Sequence, residues 1–120
     1  MGYLYVLSNR AMPGLLKIGR TESSVLGRVD QLSAHTGVPF PFTVEHSVEV
    51  WDSEYAERDV HQVLHRYRVN HSREFFSVSL ADVVAAIEIA KRVDGRREAG
   101  FPGFVDKPKE VIAAMRRMAA

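Results

Sequence analysis

The stretch Tyr3-Leu4-Tyr5-Val6-Leu7-Ser8-Asn9-Arg10-Ala11-Met12-Pro13-Gly14-Leu15-Leu16-Lys17-Ile18-Gly19 decides the fold. Its two ends are apolar, aromatic or branched, and the middle from Asn9 to Gly14 holds Asn, Pro and Gly. That pattern predicts two strands joined by a long hairpin loop. Alternation along a strand puts Tyr3 and Tyr5 on one face, and on the paired strand Lys17 and Gly19 share a face in the same way.

Working outward, Ser23 or Ser24 is placed to cap a helix in which Val25, Leu26, Val29 and Leu32 recur at helical spacing, ending near Thr36-Gly37. Pro39 and Pro41 then impose an extended connection into residues 42–50, where apolar and polar residues alternate as in a half-buried strand. A second helix starts at Asp52 or Ser53 and carries a stripe of Ala56, Val60, Val63 or Leu64, and Tyr67. A short extended segment covers residues 74–78. Ser79 with Asp82 opens a third helix bearing Val83, Val84, Ile87, Ala90 and Val93, and a linker of Gly and Pro character is expected from Arg92 to Gly103. Lys109 to Met118 reads as an amphipathic helix with Val111, Ile112 and Met115 on one side and Arg116-Arg117 near its end. The fold class expected is therefore α/β: a small, mainly antiparallel sheet of about three strands flanked by helices, with residues 1–94 as the domain and 95–120 as a linker and helical tail.

The 120 residues are 46% hydrophobic and 26% charged, and there is no cysteine, which excludes disulfides and thiolate metal sites. No apolar run approaches the roughly 20 residues that span a bilayer, and the start has no basic leader, so the expectation is a cytoplasmic protein with no membrane partner. The formal charge is only +1, but it is unevenly spread. Residues 1–44 hold four basic against two acidic side chains, residues 45–90 four against nine, and residues 91–120 eight against four, so an acidic middle separates two basic ends. Near-neutrality overall thus does not exclude local phosphate binding.

Several residue types in this pattern bear chemistry. A cation near Tyr5 favours phenolate and would suit it to proton transfer, although from strand pairing alone Tyr3 and Tyr5 are ordinary strand aromatics and Lys17 a solvent-facing charge. Arg28 falls off the Val25, Val29 and Leu32 stripe. Glu57 and His61, four apart, share a helix face, and a carboxylate is a hard ligand for Mg²⁺. His61 and His65 have zinc-compatible spacing but lack the intervening Glu of an HExxH arrangement. Glu54 and Asp59 are expected on solvated faces, His35 and His65 on the surface, and Phe75 and Phe76 in the core, with Arg73 and Glu74 framing a cleft.

The ordered string Tyr3-Leu4-Tyr5, Lys17-Ile18-Gly19-Arg20-Thr21, Arg28 and Glu57 resembles the GIY-YIG endonuclease superfamily, whose name-giving tripeptides lie on adjacent strands and are followed by a helical arginine and a metal-binding glutamate. Gln31-Leu32-Ser33, Thr36-Gly37-Val38-Pro39, Glu57 with His61, and Arg73-Glu74-Phe75-Phe76 extend the likeness to its phage and bacterial type. Tyr3 stands where the family has its first glycine, with Gly2 just before it, and Lys17 stands where the second tripeptide opens with tyrosine. The resemblance implies a DNA endonuclease using Mg²⁺ or Mn²⁺ on Glu57. In it Tyr5 handles the proton of the attacking water, Lys17 tunes Tyr5 and the phosphate, and Arg28 holds the phosphate. Tyr3, Gly19, Arg20 and His61 are auxiliary candidates, and Asn9, Arg10, Arg20 and Arg28 are candidate nucleic-acid contacts. A homodimer or a partner protein is a further expectation, and a nucleic-acid-binding module without turnover is the competing reading.

Overall fold

A computed structural model describes residues 1–34, 39–69, 74–100 and 109–119, the side chains at 115, 118 and 119 excepted. The elements follow the expected order: β1 (Gly2–Ser8), β2 (Leu16–Thr21), α1 (Val25–Ser33), β3 (Thr43–Val50), α2 (Ser53–Val63), a 3-10 turn at His65–Tyr67, β4 (Phe75–Phe76), α3 (Leu80–Glu98) and α4 (Lys109–Ala119). The sheet has four antiparallel strands in the order β3-β1-β2-β4, one more than the three expected, because the short Phe75–Phe76 segment pairs with Leu16 and Lys17.

β1 is central, and its alternation feeds two cores. Leu4 and Val6 join Ile18, Val60, Phe76, Val83 and Ile87 under α2 and α3, while Tyr5 and Leu7 pack with Val29 under α1. The register against β3 shifts between Val6, which faces His46, and Leu7, which faces Val44. The extra residue is a bulge, and it reverses the side-chain alternation of β3. Val48 therefore packs with the first core and Val44 with the second, although the two are an even number of residues apart.

Three local expectations are corrected. Leu26 is 70% exposed rather than in the core. At 100° per residue the contact line of a nine-residue helix is set by Val25, Val29 and Leu32, and Leu26 falls outside it. The linker expected from Arg92 is helical as far as Glu98. Gly95 costs an α-helix about 1 kcal/mol, and buried contacts from its neighbours offset this: Asp94 accepts the Trp51 and Asp52 amides at 2.8 and 2.9 Å, and Arg97 pairs with Asp59 at 2.8 Å. Asp59, expected in solvent, is accordingly fully buried. The expected end of α1 at Thr36-Gly37 lies outside the described residues.

α4 packs on the same core through Val111 and Ala114, and a two-pronged Arg96–Glu110 ion pair at 2.5 and 2.6 Å ties it to α3. This pair holds the Glu110 carboxyl down at about 2. No helix among the described residues is long and apolar enough to cross a membrane.

Candidate active site

The cleft exists because β4 is so short. It covers β2 at Leu16 and Lys17 only, and one further backbone bond runs from the Ile18 amide to the Glu74 carbonyl at 3.0 Å. Beyond that point no described residue pairs with β2 along this edge. In an antiparallel pair the carbonyl of Ile18 points the same way as its amide, toward this edge. His61, reaching across from α2, donates its Nε2–H to that oxygen at 3.0 Å while its ring packs 5.1 Å from Phe76. Burial lowers the His61 pKa, so a neutral ring closes the strand edge and holds α2 against it.

Across β1 and β2, Tyr5 pairs with Gly19, and the Tyr5 ring lies over that glycine. A Cβ at residue 19 would sit 2.5 Å from the phenolic oxygen, so only glycine permits the ring to cross to the strand edge. Gly2 has an equivalent constraint: a Cβ there would lie 2.8 Å from Ser53 Oγ and from the Thr21 carbonyl oxygen. The glycine that precedes Tyr3 is thus required by close packing of β1 between β2 and the start of α2.

Tyr5, Arg20, Thr21, Arg28, Gln31, Glu57 and Glu74 line one open cleft of about 450 Å³. They come from five supports: Tyr5 from β1, Arg20 and Thr21 from β2, Arg28 and Gln31 from α1, Glu57 from the second turn of α2, and Glu74 from the residue before β4. Ser24 caps α1 by accepting the Gly27 amide at 3.2 Å, and Asp52 caps α2 by accepting the Tyr55 amide at 3.1 Å, so each capped amide lies within one turn of its helix's cleft residue.

The electrostatics follow from this convergence. Burial raises the Tyr5 pKa, and the Arg28 guanidinium beside its hydroxyl works in the opposite direction, with Glu74 and Glu57 adding to the rise. Burial likewise pushes the Glu57 carboxyl up to about 7, Glu74 reinforces this, and Arg20, Lys17 and Arg68 pull it back. Glu57 is therefore a carboxylate that lacks sufficient positive charge around it. Arg28 also bonds Gln31 Oε1 at 3.3 Å, and Arg20 bonds Ser53 Oγ at 3.3 Å.

Lys17 does not tune Tyr5 in the way its position on the neighbouring strand predicts. Its ammonium sits 3.3 Å from Glu74 Oε2 and 5.4 Å from the centre of the Phe75 ring, and the cation facing the phenol is Arg28. Tyr3 shares the face of Tyr5 but lines a separate groove beside Val25 and Leu26, and its hydroxyl donates to Glu49 at 3.3 Å. Asn9, a candidate nucleic-acid contact, is 5% exposed and spends its amide on the fold: Oδ1 accepts the Ala11 amide and Nδ2 donates to the Phe40 carbonyl at 2.7 Å. Arg10 is exposed over the Phe40 ring and is not among the cleft-lining residues. His35 and Arg73 lie outside the described residues.

Among the described residues no group of three or more His, Asp or Glu side chains is arranged to hold a metal ion. The cleft instead offers Glu57 with the Glu74 carboxylate close enough to repel it. This fits a hard cation that retains waters and takes ligands from a phosphate, because Mg²⁺ is commonly held by one or two protein carboxylates. Glu74 was signalled in the sequence only as a residue framing a cleft, and Arg68 carried no sequence signal at all.

Comparison with curated proteins and with solved structures returned no match. Residues 2–91, from the first strand through most of α3, match the T5orf172 domain, and the chain belongs to the T5orf172 domain family.

Proposed function

We propose that the protein is a metal-dependent endonuclease that hydrolyses DNA phosphodiester bonds in a GIY-YIG-like cleft. The observation that carries this reading is the meeting of Tyr5, Arg28 and Glu57, from three separate elements, in one open hollow. Membership of the T5orf172 domain family supports it at the coarser level of a nuclease or DNA-binding role.

In this reading Arg28 binds the scissile phosphate and stabilises the charge that grows on it; removal of one such donor costs ~10²-fold or more in rate. Tyr5 orients the attacking water and relays its proton, taking it on the phenol oxygen while its own O–H proton goes to solvent water in the open cleft. Arg28 opposes the effect of burial on that hydroxyl, although burial outweighs it and the net shift of Tyr5 is upward. Glu57 would hold Mg²⁺ or Mn²⁺, which when bound supplies Lewis-acid stabilisation of the leaving oxygen. Glu74 restrains Lys17 at the cleft wall, and His61 positions α2 rather than reacting.

One observation favours the second reading, a nucleic-acid-binding module without turnover: Lys17 is already engaged by Glu74. Incubation of purified protein with supercoiled plasmid separates the two. The endonuclease nicks or linearises plasmid with Mg²⁺ or Mn²⁺ and stops with EDTA. The binding module retains plasmid with salt-dependent affinity, needs no metal and leaves it supercoiled.

A further inference from the structure

β3 ends the sheet on the side opposite β4, and among the described residues no strand pairs with its outer edge. The direction of its backbone groups follows from the register. The Ile18 amide bonds outward to Glu74, so Val6, opposite Ile18 on β1, turns its own amide and carbonyl toward β3 and makes a hydrogen-bonded pair with His46. Such pairs alternate along an antiparallel ladder. Ser47 and Glu49, opposite Tyr5 and Tyr3, therefore aim their N–H and C=O groups away from the sheet. Open edges are ordinarily blunted by charge, proline or a bulge. Thr43–Val50 has no proline or lysine, its bulge lies before His46, and its charges are the exposed Glu45 and Glu49. Among the described residues these carboxylates accept from the neutral hydroxyls of Ser8 at 2.9 Å and Tyr3 at 3.3 Å, which leaves their negative charge uncompensated.

On the α1 side of the sheet, which Ser47 shares with Tyr3 and Tyr5, lies a groove of about 540 Å³ lined by Tyr3, Ser47, Val25, Leu26 and Glu22. Leu26, 70% exposed, belongs to its apolar wall. Residues directly opposite on paired strands share a face, so a side chain set opposite Ser47 by an added strand stands on the groove's side, and the small serine leaves room for it to lean inward. A lysine or arginine suits that place, with its stem along Val25 and Leu26 and its charge toward Glu49. Glu22 already faces Arg20 at 3.5 Å, so Glu49 is the main counter-charge. We propose that the β3 edge docks an extended, basic segment of a partner protein, which adds as a further strand along Ser47 and Glu49 and lays a lysine or arginine over Ser47 into the groove. The acids that attract such a segment repel nucleic acid. They also oppose a second copy, because antiparallel self-pairing centred on Ser47 sets Glu45 of each copy opposite Glu49 of the other. This docking is independent of whether the cleft cuts DNA.

The probe is a fluorescent peptide of about ten residues alternating lysine with threonine, and its control carries glutamate for lysine. Binding is read by anisotropy and by backbone amide exchange in NMR, with wild type, Ser47→Pro and Glu49→Lys each checked by thermal melting. Proline at residue 47 removes an outward N–H and spares the bonds to β1. The lysine peptide should bind wild type roughly tenfold or more tighter than the control and slow exchange at the Ser47 and Glu49 amides. Ser47→Pro should weaken it roughly tenfold, and Glu49→Lys roughly threefold or more. If Ser47→Pro melts far below wild type, Glu49→Lys and the wild-type exchange pattern decide. Equal binding of the two peptides, affinity unmoved by the variants, or protection at amides other than those of the β3 edge would overturn the proposal. So would a dimer that forms without peptide and is lost in Ser47→Pro, which assigns the edge to a second copy.

Discussion

The Tyr5 ring lies across Gly19, close enough that a single methyl at residue 19 would overlap its hydroxyl. The second tripeptide therefore acts on the first by leaving space: glycine on β2 lets a tyrosine on β1 reach the open edge of the sheet. Gly19→Ala should destabilise the protein by about 1–3 kcal/mol, as an overpacked core does. Combining Gly19→Ala with Tyr5→Ala should cost less than the sum of the two, since the second change vacates the space the first needs. Denaturant unfolding of the four variants in this cycle measures the difference. Strict additivity would show that the ring does not rest on residue 19.

The buried Asp59–Arg97 pair joins α2 to the extension of α3, at 2.8 Å with side-chain exposures of 0% and 4%. Removing one partner strands the other charge, so Arg97→Ala should cost roughly 3–5 kcal/mol. Replacing both, as Asp59→Leu with Arg97→Met, should recover most of that loss. A double variant as unstable as the single would mean that the pair is needed for more than mutual neutralisation.

Glu57 ties stability to pH in the opposite sense from a salt-bridged carboxylate. Its folded pKa of about 7 lies above its ordinary value of 4.5, so folding disfavours the ionised form. The penalty is absent below pH 4.5, grows between 4.5 and 7, and is complete above 7. Without divalent ions, Glu57→Gln should melt close to wild type at pH 4.5 and measurably higher at pH 8. Added Mg²⁺ should raise the melting temperature of wild type at pH 8 and leave that of Glu57→Gln unchanged. An equal shift in the two proteins would place the ion elsewhere.

The order of elements along the chain was legible because β1 and β2 are apolar runs on either side of a loop with Asn, Pro and Gly, β3 alternates, and the caps Ser24, Asp52 and Ser79 stand in the sequence. Long-range pairing was not. Asp59 sits on a helix rich in charge, where local pattern gives it to solvent, and its partner is 38 residues away in a segment that reads as linker. Lys17 and Tyr5 share a face on adjacent strands, yet the cation beside the phenol comes from α1, and the lysine turns toward Glu74, 57 residues further along the chain. Leu26 shows the limit of periodicity in a short helix, where one step of 100° separates a core position from an exposed one. Tyr5, Arg28 and Glu57 were singled out through their order along the chain, and their common cleft follows from a strand edge that no local pattern announces.

The most direct measurement of the central claim is the single-turnover rate of cleavage of an internal phosphodiester by wild type, Arg28→Ala, Glu57→Gln and their double variant, with Mg²⁺. If the cleft works as one unit, each single change lowers the rate by ~10²-fold or more and the double loses far less than the product of the two. Wild-type rates in either single variant would contradict the assignment of this cleft as the active site.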